Sequence, residues 1–449
     1  MWLACKSLGM LLLALAIGSA QDVGQIDEET KLESLRKANK ETVGLLFKGK
    51  MAFDANNKQH VEAVGVEAKS VTFPLIYRAN ELDPPRPPAV AFPSFAPARV
   101  LEDTFGVAES HLARMSGPKN RESYGELPAA FSRALVRHAR DVMLNGKPIV
   151  VVNAARIIAL VPAREPGQSY KEWTEFVLPR LQGGTAEELL SIAADLIAAD
   201  PRKINDGARI YLLRAAHDVL ALPPQKPALY KPQTAEKVVR SAMAVALRKV
   251  NFAKATPRGE IEGFKMLRAE ALRVLGQSPF VRFENDNLSP ALVLARFAGN
   301  DESIQPPPRA EEFLEAGIGL GLMIQRAAAN KDATLQADYA AHQIARAVGA
   351  FGKAAEANLE NKGLARRRPW KIDAARLLEA VDPLRASKDS YVSDVGKRCR
   401  AVLLDILNDR VGQANVLSTW ADSTPPPTMT LLRGDAASVV KSRGVTVDD

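Results

Sequence analysis

For most of its length the chain spaces its apolar residues with the period of a helix. Residues 26–47 (IDEETKLESLRKANKETVGLLF) are acidic at the start and place Leu32, Leu35, Val43 and Leu46 near one face, which predicts an amphipathic helix. A second apolar segment covers 59–79. Its β-branched stretch Val71 to Tyr77, interrupted by Pro74, leaves helix and strand both open. From about 126 onward the helical period is sustained. Ser169 with Glu172, and Thr185 with Glu188, are spaced as capping boxes, in which side chains satisfy the free N–H groups of a helix start. Behind Thr185, Leu189, Ile192, Ala193, Leu196 and Ile197 make one apolar stripe, which Asp200-Pro201 ends. Proline runs at 223–227, 306–308 and 425–427 punctuate the later helices.

Two stretches break the pattern. DPPRPPAVAFPSFAPA (83–98) carries six prolines, which forbid a regular helix and favour an extended linker or wrapping arm. From 421 to 449 no stripe is sustained, and a loose tail is expected. The N-terminus follows a different plan. Lys6 supplies a positive charge, Leu8 to Ile17 is uncharged and apolar, and Gly18-Ser19-Ala20 offers small residues to a signal peptidase, leaving Gln21 as the new terminus. An apolar run of about ten residues is too short to span a bilayer, which needs ~20 helical residues. Cys5 precedes the apolar region rather than following it, which speaks against a lipoprotein box. The chain is therefore expected to be exported to periplasm, cell envelope or medium, with no transmembrane span after cleavage.

Cleavage would leave Cys399 as the single cysteine, so stability must come from packing, without an intramolecular disulfide, a Cys-Cys zinc site or a c-type haem attachment. The basic balance is diffuse, with 60 Lys and Arg against 52 Asp and Glu, and names no specific nucleic acid. Aromatics at 6% beside abundant Ala and Leu suit stacked helices better than sheets.

A pattern recurs inside the helices: aliphatic residues, then small pairs, then aliphatics again. Val150 to Ile158 fits it, as do Ala208 to Ala216, LRAEALRVLG (Leu267 to Gly276) and WKIDAARLL (Trp370 to Leu378). The first three starts lie 58 and 59 residues apart, and the fourth a further 103, near twice that spacing with one copy unrecognised between. Small pairs let one helix approach another, while aliphatics three and four residues on fill the groove. Leu267 to Gly276 resembles, residue by residue, the second helix of a HEAT repeat. The stretch from about 126 to 410 is similar to the divergent HEAT/armadillo-like arrays of exported bacterial proteins. The resemblance implies an all-α superhelix with a less regular N-terminal segment. The expected organisation is a signal peptide (1–20), an N-terminal helical segment (21–82), the Pro-rich linker (83–98), a HEAT-like domain (99–420) and the tail (421–449).

No constellation names a reaction. The five histidines, His60, His111, His138, His217 and His342, are scattered without a second His at metal-ligand spacing. His217-Asp218 and the run Arg137-His138-Ala139-Arg140-Asp141 could each orient an imidazole, but neither accompanies a nucleophile motif such as Gly-x-Ser-x-Gly. Gly317, Gly319 and Gly321 sit in an apolar helix pattern without the preceding strand that a dinucleotide loop demands, so close helix packing is the expected reason for them. Arg366, Arg367, Arg368, Trp370 and Lys371 form the densest cationic cluster and are the candidate anion site. A solvated loop with Trp370 as a packing anchor is the alternative. No catalytic residue, metal ligand or cofactor is assigned. The reading is an exported binding or scaffold protein for another protein or an extended polymer of the cell envelope. Its rivals are a hydrolase or lyase on an α/α-toroid-like scaffold and a cell-envelope structural protein.

Overall fold

The computed structural model describes residues 28–77, 102–165, 167–253, 255–283, 288–360 and 369–443. The signal segment 1–20, the Pro-rich stretch 83–98, Arg366, Arg367 and Arg368 lie outside the described residues. The fold is all-α. Among the described residues the β pairing is confined to two isolated bridges, Asp301 with Ser442 and Leu335 with Leu432. The chain divides into two compact units, one made of residues up to 192 with 200–218 and 222–230, the other of 193–199, 219–221 and 231 onward. The span 99–420 contributes to both units.

The first unit begins with α1 (28–46). Its Leu32 and Leu46 are buried while Leu35 stays exposed. Helix wins over strand in the ambiguous segment: α2 is Lys58–Thr72, and the Asn57 side chain accepts hydrogen bonds from the Gln59 and His60 amides at its start. Val64, Ala68 and Val71 recur at helical spacing and face inward. Then follow α3 (Val107–Ser116), α4 (Leu127–Asn145), α5 (Pro148–Leu160) and α6 (Tyr170–Leu181). Helix α4 is central and packs on α2, α3, α5 and α6 through the buried Phe131, Leu135, Val136 and Val142. Of the two capping boxes only Ser169–Glu172 forms. The Thr185 hydroxyl instead donates 3.1 Å to the Ala129 carbonyl, tying the start of α7 (Thr185–Ala198) to α4.

After α8 (Asp206–Leu220), the second unit contains α9 (Pro232–Ala246), α10 (Arg258–Gly276), α11 (Pro290–Ala298), α12 (Ala310–Asn330), α13 (Ala337–Glu360), α14 (Trp370–Val381), α15 (Ser390–Leu407) and α16 (Gln413–Ser423). Helices α10, α12 and α14 pack in succession, α11, α13 and α15 do the same, and α10–α11, α11–α12, α12–α13 and α14–α15 also pack together. Two layers of alternating helices result. Ala271 and Ala374, the small residues of the recurring pattern, are fully buried. Helix α12 sits between α10 and α14 and carries glycines at its crossings with them. A Cβ on Gly319 would lie about 3 Å from Gly276 of α10 and Leu294 of α11, and one on Gly321 would lie 2.7 Å from the Ala380 carbonyl of α14. Only glycine permits these helix crossings.

The expectation of a loose tail is corrected for residues 421–443. Leu431 and Leu432 are buried, the Thr428 amide and hydroxyl both bond the Asp338 carboxylate at 2.8 Å, and the Val440 amide donates 2.8 Å to the Tyr339 hydroxyl. These contacts use single residues rather than a helical stripe, so no periodicity announces them.

Candidate functional site

The cationic cluster expected at 366–371 is not brought together in its described part. Trp370 turns into the core, its ring 5.4 Å from that of Phe351, whereas Lys371 faces solvent and pairs with Asp409 at 2.6 Å. Trp370 is a packing anchor.

A concave site in the first unit lies elsewhere, in a cleft of about 590 Å³ between α2, α4 and the end of α6. Its wall on α4 follows from helical spacing: Ala130, Arg133, Ala134, Arg137 and His138 recur at three and four residues and share one stripe. Val61, Val64 and Gly65 of α2 face them, with Phe53 and Ala55 from the preceding turn, and Pro179, Gln182 and Gly183 close the third side. Small residues keep the cleft open. A Cβ added to Gly65 would meet no atom within 4 Å. Gly183 adopts φ +58°, and a Cβ there would come 2.8 Å from the Arg133 guanidinium, so glycine lets that cation lie flat against the turn into α7.

The polar groups of the cleft differ in what they already hold. Arg137 grips Glu188 through two hydrogen bonds, Nε to Oε1 at 2.5 Å and Nη2 to Oε2 at 2.8 Å. Burial lowers the pKa of His138, opposed by the Asp141 carboxylate and by a hydrogen bond to the Gly65 backbone, so the imidazole is neutral at neutral pH. Arg133 is half-buried, and its Nε is enclosed without a hydrogen-bond partner. An enclosed N–H left without an acceptor is costly, and a ligand anion on this guanidinium would offset that cost. Ser, Thr, Cys and Tyr are missing from the lining, so His138 has no hydroxyl or thiol nucleophile beside it in the cleft. Binding fits this arrangement better than covalent chemistry does.

Other polar centres already hold a partner within the fold. His111 meets Glu67 at 3.0 Å in the core of the first unit. Burial works to raise the Glu67 pKa, but the hydrogen bond and charge of His111 outweigh it and hold the carboxyl below its usual range. His217 bonds Asp218 at 2.9 Å on a part-buried edge. In the second unit Arg346 Nε donates 3.2 Å to His342 Nε2, His342 Nδ1 lies 2.8 Å from the Tyr391 hydroxyl, and that hydroxyl donates 3.3 Å to the Thr424 carbonyl. Burial, then the Arg346 charge, push His342 down to about 4, and burial pushes Tyr391 up to about 12. A groove of about 360 Å³ across α10, α12 and α14 is rich in charge but satisfied internally: Glu315 takes Arg376 at 2.9 Å and Arg273 at 3.2 Å, and Glu270 takes Arg273 at 3.1 Å. Beneath it Arg268 and Glu312 form a fully buried ion pair at 2.5 Å. Among the described residues no three His, Cys, Asp or Glu side chains converge to hold a metal, and no helix is long and apolar enough to cross a membrane.

No family model matches this chain. No curated protein matches it either. Two crystal structures of engineered proteins from the Northeast Structural Genomics Consortium are similar to it at 14% identity and a TM-score of 0.24. They cover 76% and 75% of this chain and 97% and 98% of their own. A likeness at that TM-score bears on neither fold nor function.

The cleft was missed in the sequence because its walls come from residues 53–65, 125–138 and 179–183. The one local signal was the Arg137-His138-Ala139-Arg140-Asp141 run, read there for its imidazole rather than for Arg133 one turn earlier.

Proposed function

We propose that this chain is an exported, HEAT-like helical-repeat binding protein that engages another protein or an extended polymer of the cell envelope through the α2–α4–α6 cleft. The observation that carries the reading is Arg133, a cation beside the small and apolar wall of the cleft, whose neighbouring cation is already paired and whose lining has no hydroxyl or thiol nucleophile. The N-terminal pattern of Lys6, Leu8 to Ile17 and Gly18-Ser19-Ala20 supports export. The small-residue crossings of α10, α12 and α14, with LRAEALRVLG among them, support the repeat frame. Mature protein immobilised on resin and exposed to envelope extract of its source should retain a partner that Ala134→Trp, which fills the cleft, fails to retain. Equal retention by both proteins would place binding elsewhere. N-terminal sequencing of protein expressed in a bacterial host should begin at Gln21. Met1 retained on cytoplasmic protein would contradict export.

A further inference from the structure

Resting on the reading of the cleft as a binding site, we propose that its ligand is the carboxyl terminus of an apolar peptide, with the terminal carboxylate on Arg133. Among the described residues three side chains at the cleft have no hydrogen-bond or ion-pair partner: the half-buried Arg133 guanidinium and, at its exposed rim, the Glu126 carboxylate and the Gln182 amide. The space between them is walled by Val61, Val64, Ala130, Ala134 and Pro179. An extended peptide end needs that combination. Its carboxylate requires a planar donor fork, which a guanidinium supplies and the paired Arg137 does not. Its last side chains require apolar wall, and its amide N–H and C=O groups require an acceptor and a donor, which Glu126 and Gln182 provide. An acyl-chain carboxylate would match Arg133 and the wall but would leave Glu126 and Gln182 unused. A cleft of about 590 Å³ holds two to three residues of such a peptide, within the range of ordinary ligand sites at ~300–1,000 Å³.

Random heptapeptides with free carboxyl ends, screened on the immobilised full chain, should enrich for Leu, Ile, Val or Phe at the last two positions. Amidating the enriched peptide should weaken binding at least about tenfold, as loss of a charge-assisted pair implies. Arg133→Gln should bind acid and amide alike, and weakly, while melting as wild type does; Arg133→Lys should recover part of the discrimination. No enrichment, or an amide that binds as tightly as the acid, overturns the proposal. Displacement of the peptide by dodecanoate at equal affinity also overturns it and makes the cleft a lipid-carboxylate site. A partner captured from extract and lost on Ala134→Trp, together with failure of the peptide screen, would leave the binding reading standing and remove only this one.

Discussion

The wall of α4 in the first unit and the middle of α12 in the second are both made of small residues, and they are used in opposite ways. On α12 each glycine is met by a neighbour: Gly319 by Gly276 and Leu294, Gly321 by Ala380, Gly317 by Leu377 and Ala347. On the cleft side of the first unit Gly65 faces open space, and Ala130 and Ala134 stay half-buried. The cations beneath follow the same division. Arg268 is fully buried, pairs with Glu312, donates 2.9 Å to the Pro306 carbonyl and lies between the rings of Phe264 and Phe297, whereas Arg133 has no ion-pair partner among the described residues. Small residues in a helix are therefore not in themselves packing devices. Where a partner helix fills them they build a frame, and where none does they leave a site.

The largest effect should come from the filled region. Arg268→Ala strands Glu312 as an uncompensated buried carboxylate and should cost about 3–5 kcal/mol, read by urea unfolding. Arg133→Gln should change stability by less than about 0.5 kcal/mol, as substitutions away from packed or paired positions do. A loss for Arg133→Gln comparable to that of Arg268→Ala would erase the comparison.

Acid should also act on the closed side. The folded-state pKa of His342, about 4, lies below the ordinary 6.5, so its contribution is fully present above pH 6.5 and is lost as pH falls from there toward 4. The span corresponds to roughly 3 kcal/mol. His342→Gln should flatten that part of the stability–pH curve. A wild-type curve already flat between pH 6.5 and 4 would mean that the Arg346–His342–Tyr391 chain does not hold the imidazole neutral.

Gly319→Ala and Gly65→Ala make the comparison with a single methyl group. The first forces a Cβ to about 3 Å from Leu294 and Gly276 and should destabilise by ~1–3 kcal/mol. The second adds a Cβ in open space within a helix and should stabilise by up to about 1 kcal/mol. The same sign for both, by thermal melting, would show that the two regions do not differ in packing. The smallest effect belongs to the 366–368 cluster. With Trp370 in the core and Lys371 on Asp409, changing Arg366, Arg367 and Arg368 together to Gln should leave heparin-column retention unchanged at low and moderate salt. Earlier elution of the variant would show that the cluster binds anions.

What the sequence discloses follows the range of the interaction. The burial of Ala271 and Ala374, the Ser169–Glu172 cap and the Asp200-Pro201 stop depend on residues within a few positions of one another, and each can be read from spacing. Thr185–Glu188 has the same spacing and fails because a carbonyl 56 positions earlier, on Ala129, takes the Thr185 hydroxyl. Arg268 and Arg133 look alike in the sequence, each in a helix between alanines and aliphatics. One is a buried strut and the other a spare charge only because Glu312 pairs with the first, and no carboxylate among the described residues pairs with the second. The docked tail escaped for a related reason: Leu431, Leu432 and Thr428 act singly, and no period marks them. The site is thus less legible than the fold, since it depends on a space between three segments that no local pattern encodes.

The most direct test places the same indole in both regions. Gly319→Trp and Ala134→Trp should be compared with wild type by thermal melting under one set of conditions. Gly319→Trp should melt far below wild type, because its crossing has no room, while Ala134→Trp should melt within a few degrees of wild type, because its side chain enters the cleft. If Ala134→Trp were destabilised as severely as Gly319→Trp, the cleft would be part of the packed frame and not a site left open for a ligand.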